Sequence, residues 1–242
     1  MLELLRGVAS VALFAVFGVG ALAISPAMLI LRRPERCQPI VRAAWRLLLW
    51  SFEILRLVRV ETGDDFTSLH GRLLVCNHPS LIDVVILTVL VPRTLYVAKH
   101  ALRSHPVLAA IVRATSLPDD ERLPETAAPY LAKGWNLLIF PEGTRSPAGG
   151  LHPFRRGAAQ VALRTGAKIS VLKLTFSQRI LGKDQPIWRI GSRPVAINVA
   201  ALGEVDPADA ASAKTSLRAR AVALTERLSS GYCLKSSKRV LL

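Results

Sequence analysis

His78 and Asp83, five residues apart in Asn77-His78-Pro79-Ser80-Leu81-Ile82-Asp83, are the side chains of this sequence best suited to moving a proton. On one continuous helix, residues five apart point well away from each other. Pro79 is tolerated only at or before a first helical turn, so His78 is expected outside the helix that Leu81 to Leu90 predicts. The chain can then fold back and bring Asp83 to the imidazole. A carboxylate there would hold one ring nitrogen protonated and leave the other as a general base. The same residues read equally as a helix start. Ser80-Leu81-Ile82-Asp83 fits a capping box, with Ser80 at the N-cap and Asp83 at N3, and His78 is then a turn residue.

The second stretch is Pro141-Glu142-Gly143-Thr144-Arg145-Ser146. Gly143 lets the backbone turn so that amide hydrogens face a cleft. Thr144 and Ser146 add hydroxyls, and Arg145 can grip a phosphate through two parallel hydrogen bonds. Glu142 could orient Arg145 or a substrate hydroxyl. The bland alternative is a polar turn with an exposed arginine.

Both stretches follow short apolar runs that read as strands, Arg72 to Cys76 and Asn136 to Phe140. Strand carboxyl ends are where open α/β sheets place their chemistry. Further strands are expected at Thr94 to Ala98, Ile169 to Phe176 and Val195 to Val199. Helices are expected at Pro106 to Arg113, Thr126 to Lys133, Arg156 to Arg164 and beyond Asp206-Pro207, where Leu217, Leu224 and Leu228 share one face. Leu117 to Pro124 reads as a loop. Alternation of this kind predicts an α/β domain with a mostly parallel sheet flanked by helices.

A membrane-associated segment is expected before that domain. Gly7 to Leu31 holds no charged residue and is long enough to cross a bilayer core, which takes about 20 apolar residues. Arg32, Arg33 and Arg36 follow at once, which places the remainder on the cytoplasmic side of the cell inner membrane. A cleaved signal peptide is the competing reading, and Ser25-Pro26 would allow a re-entrant pair of shorter helices. Ile40 to Val60 predicts a second helix, with Arg42, Arg46, Glu53 and Arg56 on a stripe and Trp45, Trp50 and Phe52 beside it. That pattern suits a membrane interface, or a helix packed on the core. The expected organisation is thus residues 1–62 for anchoring and 63–242 for the chemistry. In the 242-residue chain, a formal charge of +15 and a pI near 10.8 point to an anionic partner; an anionic lipid surface is preferred to nucleic acid. Cys37, Cys76 and Cys233 show neither pairing nor metal spacing, and a reducing compartment is the simpler reading. His70, His100, His105 and His152 lack the spacing of a ligand set, so no metal or other cofactor is expected.

Taken together, the two stretches resemble the H-x-x-x-x-D and E-G-T-R motifs of the glycerolipid acyltransferases. Within that family the chain looks most like the bacterial 1-acylglycerol-3-phosphate acyltransferases and their lysophospholipid relatives. The similarity spans about Leu47 to Val199 and includes Pro153-Phe154-Arg155-Arg156-Gly157, which resembles the basic F-x-x-G stretch. The resemblance implies acyl transfer from acyl-CoA or acyl-carrier protein to a lysophospholipid hydroxyl. It implies His78 as general base, Asp83 as its partner, and Gly143, Thr144 and Arg145, with Glu142, at the acceptor phosphate. Lys99 and Pro106 match the start of an intermediate block that Arg122 ends loosely. Lys168 and Val171 stand where the family usually has prolines. Both departures are expected to bear on the acceptor and acyl pocket. A serine or cysteine hydrolase is disfavoured, since no G-x-S-x-G is present and Cys76 lies inside an apolar run. Two rival readings remain: the same chemistry on another lysolipid or lipid-like metabolite, and a non-catalytic, membrane-tethered protein that binds anionic lipid.

Overall fold

The computed structural model describes residues 1–31, 33–210 and 216–238. A seven-stranded sheet forms the centre, in the order β1-β7-β6-β2-β5-β3-β4. These strands are β1 (Val58–Thr62), β2 (Leu73–Cys76), β3 (Thr94–Ala98), β4 (Ser116–Pro118), β5 (Asn136–Ile139), β6 (Ile169–Phe176) and β7 (Val195–Val205). Every neighbouring pair is parallel except β6 with β7. The mostly parallel α/β sheet is therefore as the alternating pattern predicts. Burial on both faces explains why β2 and β5 read as unbroken apolar runs.

Two layers of helix cover the sheet. On one face lie α2 (Pro34–Ile54), α3 (Asp83–Leu90) and α5 (Ala109–Thr115); Phe52, Ile82, Ile86 and Leu87 pack there against Leu74, Leu138 and Leu172. On the other face are α6 (Leu123–Ala132), α7 (Gly157–Thr165) and α8 (Leu217–Lys238), with Ala127, Ala159, Leu224 and Tyr232 over Leu73, Leu137 and Ile169. A single turn, α4 (His100–Arg103), follows β3.

The N-terminal region departs from expectation in two places. Helix α1 (Leu2–Leu31) runs unbroken through Pro26, so Ser25-Pro26 does not divide it. By length and composition it is long and apolar enough to cross a membrane. Yet its buried residues, Arg6, Gly7, Ser10, Ala21 and Met28, lie against the body along its whole length. The second helix does not reach Val60. It begins at Pro34, a favourable first-turn position, and ends at Ile54. Arg56 then takes a left-handed φ of 52°, and Leu57 N donates to Phe52 O at 2.8 Å. Val58, Val60 and Thr62 favour an extended chain, and the segment becomes edge strand β1, paired with β7. Residues up to 62 therefore contribute a strand to the sheet itself.

Smaller corrections follow from tertiary pairing. Leu117 and Pro118, expected as the start of a loop, belong to a short edge strand, Ser116–Pro118, held by β3. Pro207 opens a 3₁₀ turn, Pro207–Ala210, and the expected helix that carries Leu217, Leu224 and Leu228 is α8. Cys233 belongs to α8.

Candidate active site

Three adjacent parallel strands deliver the predicted chemistry to one edge of the sheet. Leu74 pairs with Leu138, and Tyr96 pairs with Leu138 from the other side. In parallel pairing, all three carboxyl ends then face the same way. The residues just beyond them are His78, Glu142 to Arg145, and Lys99. His78, Gly143, Thr144, Arg145 and Lys99 line one cavity of about 360 Å³, with Tyr96, Phe140, Asp119 and Arg155 among its other walls.

Each turn is tied before it reaches the cavity. Asn77 extends β2 by one residue through its side chain: Nδ2 donates to Leu174 O at 2.9 Å and Oδ1 accepts Leu174 N–H at 2.8 Å. His78 can then leave the ladder with its ring stacked on Phe140, centroids 4.1 Å apart and planes at 15°. Helix α3 begins at Asp83, and Pro79 lies in the turn before it, as proline geometry requires. His78 Nδ1 is 2.9 Å from Asp83 Oδ2. The same oxygen accepts the Ser80 N–H at 2.8 Å.

Asp83 has 0% of its surface exposed, and its Oδ1 is buried without a partner. Burial pushes its carboxyl up to about 6, partly opposed by the hydrogen bond and charge of His78. An ionised Asp83 holds the proton on Nδ1. Nε2 remains the nitrogen available to a substrate.

Glu142 differs from its expected place at the substrate. It is only 2% exposed. Its Oε1 accepts the His78 N–H at 3.2 Å and the Ser146 hydroxyl at 2.5 Å, and its Oε2 accepts the His152 N–H at 2.8 Å. Ser146 N–H in turn donates to His78 O at 2.7 Å. Both carboxylate oxygens are engaged, so Glu142 clamps the two motif turns together. The expected pairing with Arg145 is absent.

Arg145 is anchored by backbone carbonyls: its Nη1 donates to Leu181 O at 2.8 Å and Gly182 O at 2.9 Å. Gly143 takes φ +66°, and an added Cβ would lie 2.7 Å from Arg155 Nε. The missing side chain therefore lets a second guanidinium lie over the turn. Arg155 is itself fixed by its N–H to Pro141 O at 2.7 Å. Among the described residues, neither Arg145 nor Arg155 forms an ion pair with a carboxylate. Two cations beside the imidazole suit a doubly charged phosphate. The motif reading missed Arg155 as a cavity residue, although the basic F-x-x-G stretch that contains it was the available signal.

Two expectations fail. Arg122 is exposed at the start of α6, where its N–H bonds Asp120 Oδ1, and it does not line the cavity; Asp119 does. Lys168 and Val171 sit in the first half of β6 or just before it. Leu73 pairs with Ile169, so Lys168 lies at the strand end away from His78, and its Nζ is 3.5 Å from Asp206 Oδ2; Val171 pairs with Val75 farther along the strand but does not line the cavity. That departure from the family pattern does not touch the cavity.

Residues 57–175 match the family model described as Acyltransferase. A 1-acyl-sn-glycerol-3-phosphate acyltransferase of Cocos nucifera is 31% identical over 167 residues, which are 64% of this chain and 51% of the relative. One of Neisseria gonorrhoeae is 28% identical over 142 residues, 51% of this chain and 55% of the relative. The chain thus spans about half the length of these curated relatives. In fold it is similar to the crystal structure of the 1-acyl-sn-glycerophosphate acyltransferase PlsC of Thermotoga maritima. That likeness has a TM-score of 0.66 at 21% identity and covers 97% of this chain and 98% of that one.

Proposed function

This chain carries an acyltransferase-family domain, and on that premise we propose that it moves a fatty acyl group from a thioester to the free hydroxyl of 1-acylglycerol 3-phosphate, giving phosphatidic acid. The observation that carries the reading is the 2.9 Å His78–Asp83 pair, opening on the same cavity as Arg145 and Arg155. The thioester is acyl-CoA or acyl-carrier protein. His78 Nε2 takes the proton of the acceptor hydroxyl as its oxygen bonds to the thioester carbonyl carbon. The carbon–sulfur bond of the tetrahedral intermediate then breaks, and the imidazolium returns the proton to the departing thiolate. Asp83 stabilises the imidazolium between these steps. Arg145 and Arg155 hold the acceptor phosphate and so aim the hydroxyl, and orientation supplies much of the rate. Lys99 and the Thr144 hydroxyl face the same anionic groups. Direct transfer needs no acyl-enzyme, and Cys76 is no candidate nucleophile: it is fully buried, which pushes its thiol well up.

Membrane association follows from the N-terminal helices. Ile40, Leu47, Trp50 and Ile54 of α2 are exposed together with much of α1. An apolar face of that kind suits lipid, and the acceptor's own tail resides there. We place the body at the cytoplasmic face of the inner membrane, because basic residues follow α1.

The test is acyl transfer with a phosphorylated and an unphosphorylated acceptor. Arg145→Lys and Arg155→Gln should each raise the apparent KM for the phosphorylated acceptor about tenfold, which corresponds to about 1.4 kcal/mol, with the thioester KM little changed. Equal weakening of both substrates, or none, would remove the phosphate reading. Acyl transfer that survives His78→Ala would remove His78 as the base, whereas a wild-type chain that binds lipid vesicles and transfers no acyl group would support the non-catalytic rival.

A further inference from the structure

Residues 177–194 between β6 and β7 touch both α1 and the catalytic arginine turn. At the far side of this loop, Arg6 of α1 donates to Gly191 O at 2.8 Å and Arg193 O at 2.8 Å. It also donates to Arg56 O at 2.7 Å and Leu57 O at 3.3 Å, ahead of β1. A guanidinium spends its forked donors here on carbonyls alone, as a rigid staple between three segments. Ser10 Oγ donates to Ile187 O at 3.0 Å, and Gly7 has room for no Cβ, which would lie 2.6 Å from Trp188 O. At its near side, the loop gives Leu181 O and Gly182 O to Arg145, and Leu181 O also accepts Leu81 N–H at 3.1 Å. Leu181 holds φ +53° with its side chain buried, a conformation kept only where surroundings enforce it.

Between these fixed ends the loop presents an apolar tip. Trp188 is 62% exposed and Ile187 36%. Trp188 shares an open groove of about 830 Å³ with Leu4, Val8 and Val11 of α1. Arg189 lines the groove, with Glu3 on its α1 side, and Lys183 and Arg193 are exposed in the same loop. An indole beside aliphatic side chains with a basic rim matches an anionic bilayer, where the ring sits at headgroup depth and each cation adds attraction.

We propose that the β6–β7 loop is a second lipid-docking element, beside α1, and that docking of Trp188 on an anionic bilayer tightens the hold on the acceptor phosphate by fixing the carbonyls that position Arg145. Trp188 and Arg6 are positioning residues in this scheme; neither touches substrate. The coupling rests on the phosphate role given above to Arg145, whereas the docking does not.

The experiment uses the full chain, vesicles of phosphatidylglycerol or phosphatidylcholine, and a short-chain, monomeric glycerol phosphate ester as acceptor. Trp188→Ala should weaken cosedimentation with phosphatidylglycerol vesicles and leave transfer to the monomeric acceptor unchanged without vesicles. Phosphatidylglycerol vesicles lacking acceptor should lower the monomeric acceptor's KM in the wild type by about tenfold, with the thioester KM unmoved. Trp188→Ala and Arg6→Lys should both lose that effect. Should Arg6→Lys fold poorly, Trp188→Ala alone decides. Unaltered vesicle binding by Trp188→Ala, or a dimer dissociated by it, overturns the docking. Normal docking with no change of KM on adding vesicles overturns the coupling. If Arg145→Lys also leaves acceptor KM unchanged, the fault lies in the phosphate assignment and the docking result stands by itself.

Discussion

Asp83 Oδ2 lies 2.9 Å from His78 Nδ1 and 2.8 Å from Ser80 N, so one oxygen both orients the imidazole and closes the turn that starts α3. Ser80 is not the N-cap that the sequence pattern suggests, since Ile82 takes that place without a side-chain cap and Asp83 opens α3; the Ser80 N–H bond alone survives of the capping reading. The capping and dyad readings still differ in what they predict.

Asp83→Asn keeps an acceptor for Ser80 N–H but loses the charge that stabilises the imidazolium. Turnover should fall roughly a thousandfold or more. His78→Ala should lose a comparable amount, and the double variant little more, because the pair acts as one unit. Near-normal turnover in Asp83→Asn, measured with a melting curve to show the fold is intact, would falsify the dyad.

The same variant makes a stability prediction with a definite sign. Burial raises Asp83 from the usual 3.8 to about 6 in the folded protein. The folded state then holds a proton that the unfolded chain releases first. This group's contribution is full below about pH 4 and is lost as pH rises through 6. Asp83→Asn should therefore melt no lower than the wild type at pH 8, and any advantage should vanish near pH 4. A variant markedly less stable at pH 8 would mean the ionised carboxylate is net stabilising.

The general-base role proposed for His78 needs the ionised Asp83 that burial disfavours. The rate should drop as pH falls through about 6, the value to which burial raises Asp83. A pH–rate profile of kcat/KM flat from 8 down to 5 would contradict this.

Glu142→Gln tests the clamp. An amide cannot accept all three hydrogens now directed at the carboxylate, so one buried donor is left facing another. A loss of about 1–3 kcal/mol in stability is expected, with kcat reduced because the tie between the His78 and His152 backbones loosens once one carboxylate oxygen becomes a donor. Acceptor KM should hardly move. A raised acceptor KM with normal kcat would return Glu142 to the substrate site.

Gly143→Ala addresses the turn itself. A left-handed φ of 66° costs an L-residue about 1–2 kcal/mol, and the new Cβ would displace the Arg155 guanidinium. We expect a weaker acceptor KM together with a lower melting temperature. Normal acceptor KM would show that Arg155 is not held over the turn for binding.

The sequence by itself determined five of the seven strands, their mostly parallel sense and the placing of both motifs at strand ends, because unbroken apolar runs and proline or glycine stops are local signals. It also marked His78, Asp83, Gly143 and Arg145, whose residue types have few other uses at that spacing. Only the tertiary structure decided what the polar groups contact. Glu142 faces three donors from separate turns, and Arg155 reaches the cavity because Gly143 lacks a Cβ. Arg122 and Lys168 point elsewhere, since their positions follow from helix α6 and from the register of β6. The end of α2 was hidden for the same reason. Val58 to Thr62 carries no strong stop before it, and its strand exists because β7, more than 130 residues later, pairs with it. Long-range pairing of this kind leaves no trace in a local pattern.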